Sequence, residues 1–171
     1  MKHNIIRLLC LTIYLFFALH ANARDAVRNW YFDFTTRERS ETYVYSVPDS
    51  EVTWTMTMRH KGSYQDDGDT FVSETWAPDP SDESKTVKMT MVWRSMGEYL
   101  VGKARSSDGV SAEGEMRMRI TSPMTVEYEH VVEGRVVSNG HSRMHGDRVV
   151  AEENYYDGDG VLKMRAKAEM K

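Results

Sequence analysis

The stretch Ser111-Ala-Glu-Gly-Glu-Met-Arg-Met-Arg-Ile120 decides the fold class. Its even positions are Ala112, Gly114, Met116, Met118 and Ile120, and its odd positions are Ser111, Glu113, Glu115, Arg117 and Arg119. An uncharged or apolar residue at every second position is the period of a β-strand with one face buried. A slip of one residue would carry the whole charged set inside, so the alternation also fixes the register. The same pattern recurs near the C-terminus, where Leu162, Met164, Ala166, Ala168 and Met170 alternate with Lys163, Arg165, Lys167 and Glu169.

Working outward, alternation predicts strands at Val52–Arg59, Val87–Arg94, Met124–Val132 and Leu162–Met170 beside Ser111–Ile120. Less regular segments are Thr42–Val47, Thr70–Trp76, Tyr99–Arg105, Arg135–His145 and Arg148–Tyr156. Turn residues separate them, among them Asp66-Asp-Gly-Asp69, Met96-Gly97, Asp108-Gly109, Ser122-Pro123, Glu133-Gly134, His145-Gly-Asp147 and Asp157-Gly-Asp-Gly160. Glycine and Asp supply the positive φ angles of tight hairpins. Ala77–Lys85 reads as a polar break, because Pro78 and Pro80 lack the N–H a ladder needs. Arg24–Trp30 reads as a short helix ahead of the sheet. An open sheet of about ten strands would leave two unpaired edges, and closure into a barrel removes both. The expected fold is therefore all-β, a single antiparallel meander of about ten strands closed into a barrel.

The rhythm of Ile120-Thr-Ser-Pro-Met-Thr-Val-Glu-Tyr-Glu-His130, followed by the turn Glu133-Gly134-Arg135, resembles the calycin-type barrels. That group includes lipocalins and several exported bacterial families of uncharacterised function. The lipocalin Gly-x-Trp signature is absent, since Asn29-Trp30 has no glycine two residues before the Trp. The resemblance implies a calycin-like barrel with a site for a small molecule inside.

The N-terminus has the three parts of an export signal. Lys2 and Arg7 are basic, Leu8 to Leu19 is apolar, and Ala21-Asn-Ala23 is a small-x-small cleavage pattern. The expected plan is a signal peptide over 1–23 and a single β-barrel domain over 24–171. A membrane span needs about 20 apolar residues, and here Arg7 and His20 bound the run. No stable membrane anchor is expected after cleavage. The cleaved product carries 20 basic against 26 acidic residues, a net charge of −6. An acidic chain is poorly suited to nucleic acid or anionic lipid. The one cysteine, Cys10, leaves with the signal, so no disulfide or thiolate chemistry is expected. The expected location is periplasmic or secreted.

The inward face carries the functional expectation. Met56-Thr-Met58, Met89-Thr-Met91 and Met116-Arg-Met118 each place two thioethers on one side of a strand. Trp54 and Trp93 continue the parity of the first two pairs, and Tyr128 and His130 continue that of Met124 and Val126. Methionine is flexible and polarisable and fills irregular gaps. A lining of Trp54, Met56, Met58, Met89, Met91, Trp93, Met116, Met118, Tyr128 and His130 thus suggests a site for a small apolar ligand. A cavity of about 300 Å³ or more would favour a carrier, and a filled core would not. Two alternatives stand beside it. Thioethers also suit Cu(I), with Met56, Met58, Trp54 and His60 on one face. An enzyme with a site at the barrel mouth would need a strongly perturbed acid or base.

Other motifs resolve to ordinary structure. Alternation places His141 and His145 on the outer face. A pair four residues apart on a strand is separated by about 13 Å, too far to share one ion. Asp157-Gly-Asp-Gly160 lacks the loop length and closing Glu of an EF-hand. Glu127 and Glu129 flank Tyr128 on the outward parity. Neither a Gly-x-Ser-x-Gly elbow nor a His-Glu-x-x-His helix occurs. The expectation is therefore a non-enzymatic protein with no resident metal or cofactor.

Overall fold

A computed structural model describes residues 27–79, 82–106 and 114–171. The expected signal peptide and the start of the Ser111–Ile120 segment lie outside these residues, as do Pro80 and the Asp108-Gly109 turn. Helix α1 (Trp30–Thr35) precedes ten strands. These are β1 (Arg39–Ser46), β2 (Thr53–Tyr64), β3 (Thr70–Asp79), β4 (Asp82–Met96), β5 (Tyr99–Ser106), β6 (Glu115–Ser122), β7 (Thr125–Val132), β8 (Arg135–His145), β9 (Arg148–Tyr156) and β10 (Leu162–Met170). Each pairs antiparallel with the next, and β1 pairs with β10 to close the barrel. The all-β meander is thus as the alternation indicates.

The ladders confirm the parity strand by strand. Met118 lies between Leu100 and Tyr128, and Met116 between Gly102 and His130. Tyr43 lies between Met56 and Ala168. On the outer face Arg119 meets Glu127 at 3.0 Å, and Arg117 meets Glu115 at 2.8 Å and Glu129 at 3.6 Å. The β7–β8 hairpin shows the local chemistry of a turn. Val132 pairs with Arg135, so Glu133 and Gly134 alone make the loop, with φ of 49° and 78°. Two positive φ angles give the twist that matches a right-handed strand pair.

Two expectations change. The stretch 77–85 is not a break: β3 runs to Asp79, and Pro78 pairs opposite Thr86. The β2–β3 ladder ends at Arg59–Trp76, so beyond it β3 has a free edge, where proline is tolerated. Strand β2 also continues past Arg59 to Tyr64. Its Gly62 is not a turn residue but leaves room for a ring, since a Cβ there would sit 2.2 Å from Phe71 Cζ. Finally, the expected helix Arg24–Trp30 lies largely outside the described residues, of which Val27 is helical, and a further helix runs over Trp30–Thr35. Asn29 caps it by accepting from the Phe32 N–H at 3.0 Å.

Helix α1 closes one end of the barrel. Phe32 is buried and packs with Phe71, Trp93, Leu100, Met118 and Val126. Gly102 leaves space for this layer, because a Cβ there would meet Met91 Sδ and the Trp93 ring at 2.8 Å. The Trp93 indole donates to Ser73 Oγ at 3.0 Å, so the ring's one polar atom is satisfied.

Candidate functional site

Beyond this plug the interior is not filled. A cavity of about 150 Å³ lies inside the barrel. Its floor is made by Tyr31, Phe32 and Thr35 of α1 with Phe71 and Met170. One wall is the expected one, with Met89, Met91, Trp93, Met116, Met118 and Tyr128. The other wall, from β1, β2 and β9, carries Glu41, Tyr43, His60 and Glu153. A larger concavity of about 490 Å³ crosses the outer faces of β6 to β9. Its Arg117, Arg119, Glu127 and Glu129 pair with one another, as on an ordinary solvated surface.

Of the ten residues expected at the site, six line the cavity. Trp54, Met56, Met58 and His130 share the inward parity but do not line it. Trp54 stands toward the end opposite α1, 40% exposed, with its ring stacked 5.2 Å from Tyr45. Met56 and Met58 are half-buried opposite Tyr43 and Glu41. His130 lies across from Ser138 and is felt electrostatically by Glu153.

The acidic wall is a network. Glu41 is buried, its side chain 5% exposed, and its Oε2 lies 2.8 Å from Nε2 of His60. That contact is an ion contact without the alignment of a hydrogen bond. The other ring nitrogen, Nδ1, is hydrogen-bonded to Thr75 Oγ1 at 2.9 Å. Nδ1 is therefore hydrogen-bonded within the wall, and Nε2 has only the charge contact with Glu41. Among the described residues no group of three or more His, Cys, Asp and Glu is placed to hold a metal ion.

Glu153 accepts from the hydroxyl of Tyr155 and is also hydrogen-bonded by Tyr128. Burial pushes its carboxyl above the usual range, and Glu41 pushes the same way. The two phenols and His130 pull in the other direction without reversing the shift. Burial likewise raises the phenols of Tyr31, Tyr43 and Tyr128, and the charges of Glu41 and Glu153 raise all three further. Tyr45 is pushed up to about 12, chiefly by burial and then by Glu153.

Closure of the barrel makes this network. On β10, Ala166 lies between Tyr45 of β1 and Glu153 of β9, and Ala168 lies between Tyr43 and Ala151. Two methyl side chains there leave room for the long residues on either side to meet, and Tyr45 and Tyr155 come within 6.3 Å. Parity could have found Glu153, because Val149, Ala151, Glu153 and Tyr155 share a face. It could equally have found Glu41, which shares a face with Tyr43 and Tyr45.

No protein-family model matches the chain, and no curated protein does. Among solved structures it is similar to a DUF1329 family protein from Desulfovibrio piger, at 12% identity and a TM-score of 0.35. The likeness covers 90% of this chain and 91% of the other. It is too loose to carry an argument, and the functional reading rests on the interior.

Proposed function

We propose that the chain is an exported, calycin-like barrel protein that binds one small, partly apolar molecule in its interior. The observation that carries this is the cavity of about 150 Å³ between a methionine–tryptophan wall and a carboxylate–tyrosine wall. Its size sets the scale of the ligand. Sites for drug-sized molecules begin near 300 Å³, and a fatty acid is too long for this space. An apolar cavity of about 150 Å³ holds benzene, so the occupant is of that order. The methionine wall adapts to shape because thioether chains change rotamer at little cost.

The test is direct. Toluene should raise the melting temperature, since a ligand that prefers the folded state stabilises it by mass action. It should also change the fluorescence of Trp93, which lines the cavity, and leave that change intact in Trp54→Phe. Absence of both effects for toluene and for its charged analogues would remove the reading.

A copper-binding role has less support, because Trp54, Met56 and Met58 do not line the cavity that His60 borders. An enzymatic role draws on one observation, the raised carboxyl of Glu153 in the cavity wall. A carboxyl whose proton is held more tightly than usual is a feature of general acids. Turnover of an ester or glycoside panel that is lost in Glu153→Gln would favour catalysis over binding alone.

A further inference from the structure

Among the described residues no lysine or arginine pairs with either carboxylate that faces the cavity, and Glu41 is met by the imidazole of His60 at 2.8 Å. Among the described residues, those facing the cavity include two carboxylates, Glu41 and Glu153, from β1 and β9. The basic groups near them are the imidazoles of His60 and His130, from β2 and β7. The inward positions beside the cavity on β3, β4, β5, β6, β8 and β10 are occupied by uncharged side chains such as Thr75, Met91, Gly102, Met118, Ser142 and Ala168. Lys61 borders the cavity but lies on the outer face of β2, exposed and opposite Glu74. Arg39 shares the parity of Glu41 but is drawn beneath the helix. Its guanidinium stacks 4.1 Å over the Phe34 ring and its Nε donates to the Phe34 carbonyl at 3.1 Å.

The uncharged polar groups around the cavity have the same bias. Tyr31, Tyr43 and Tyr128 each lie within the fields of both carboxylates. Their rings, with that of Trp93, surround a small volume. Aromatic faces attract cations through the ring quadrupole, more strongly where water is excluded. An anion would meet two carboxylates, and a neutral molecule would offer nothing to Glu153, which no lysine or arginine among the described residues reaches.

We propose that the ligand is a small organic cation, an ammonium group carried on an apolar body about the size of one aromatic ring. The ammonium faces Glu41 and Glu153, and the apolar body lies against Met89, Met91, Met116 and Met118. This assignment rests on the barrel-interior reading above and adds the charge of the occupant.

The experiment compares three probes of one shape on the full-length mature protein at neutral pH: benzylammonium, toluene and benzoate, by calorimetry and thermal shift. Benzylammonium should bind at least about tenfold tighter than toluene, and benzoate should not bind. In Glu153→Gln the preference for benzylammonium should fall by about tenfold while toluene binds as before. Glu41→Gln repeats the test on the second carboxylate, and the wild-type comparison needs neither variant to fold. Equal binding of toluene and benzylammonium, or tighter binding of benzoate, overturns the cation assignment and leaves the interior site standing. No binding of any probe overturns both.

Discussion

Phe32 of α1 lies flat on Phe71 of β3, with ring centroids 4.1 Å apart and planes 5° from parallel. This contact fixes the helix in the end of the barrel, and Trp93 lies 5.6 Å from the same ring. Truncating a buried phenylalanine to alanine costs about 3–5 kcal/mol. Phe32→Ala should lose stability in that range by urea denaturation. A loss below about 1 kcal/mol would show that the helix is not a structural plug.

Inside and outside can be tested on adjacent residues. Met118 is 3% exposed, whereas Arg117 pairs with Glu115 and Glu129 on the outer face. Met118→Lys should be severely destabilising because it buries an unpaired charge. Arg117→Lys should stay within about 0.5 kcal/mol. Equal thermal shifts for the pair would contradict the parity.

Glu153 makes stability depend on pH in an unusual direction. Its folded value is raised, so the folded state holds this proton over a pH window where the unfolded chain has lost it. Stability from Glu153 is therefore fully present below the ordinary carboxylate value, about 4.3. It is lost as pH rises through the folded value. Asp67, Asp82, Asp157, Glu152 and Glu169 are lowered by hydrogen bonds and ion pairs, so their contribution is lost in the opposite direction, on acidification. The part of the melting temperature that Glu153 contributes should rise as pH falls toward the ordinary carboxylate range, and the part contributed by the lowered carboxylates should drop in stronger acid. In Glu153→Gln the rise should be absent, and its persistence there would assign it to another group.

The β7–β8 turn is a site for stabilisation. Glu133 adopts φ of 49°, a region that asparagine enters more readily. Glu133→Asn should gain up to about 1 kcal/mol, and Gly134→Ala should lose about 1–2 kcal/mol. Melting temperatures that move in the reverse order would mean that the turn does not hold this conformation in solution.

Export is checked at the N-terminus. Protein recovered from the periplasm or medium should begin at or beside Arg24. An intact Met1 in that material would exclude cleavage of the segment 1–23.

Alternation by itself determined the strands, their inward faces and the need for closure, because the period of a strand is a local property of the backbone. Met91, Trp93, Met116, Met118 and Tyr128 were legible on that ground. Their partners were not. Glu41 and Glu153 are far apart in the chain, and only the β1–β10 pairing that closes the barrel brings their fields onto the same tyrosines. Parity does not decide the lining: Met56, Met58 and His130 pair with Tyr43, Glu41 and Met116, which line the cavity, and yet do not line it themselves, and Trp54 pairs with Tyr45 outside it. The helix was equally hidden, because a six-residue segment is too short to show a face by period. Its burial is decided by the ring stack on Phe71, and Phe71 has room for its own ring only because Gly62 has no side chain. Volume is the sum of such non-local contacts, which is why a sequence that named the lining could not tell a filled barrel from one with a benzene-sized space.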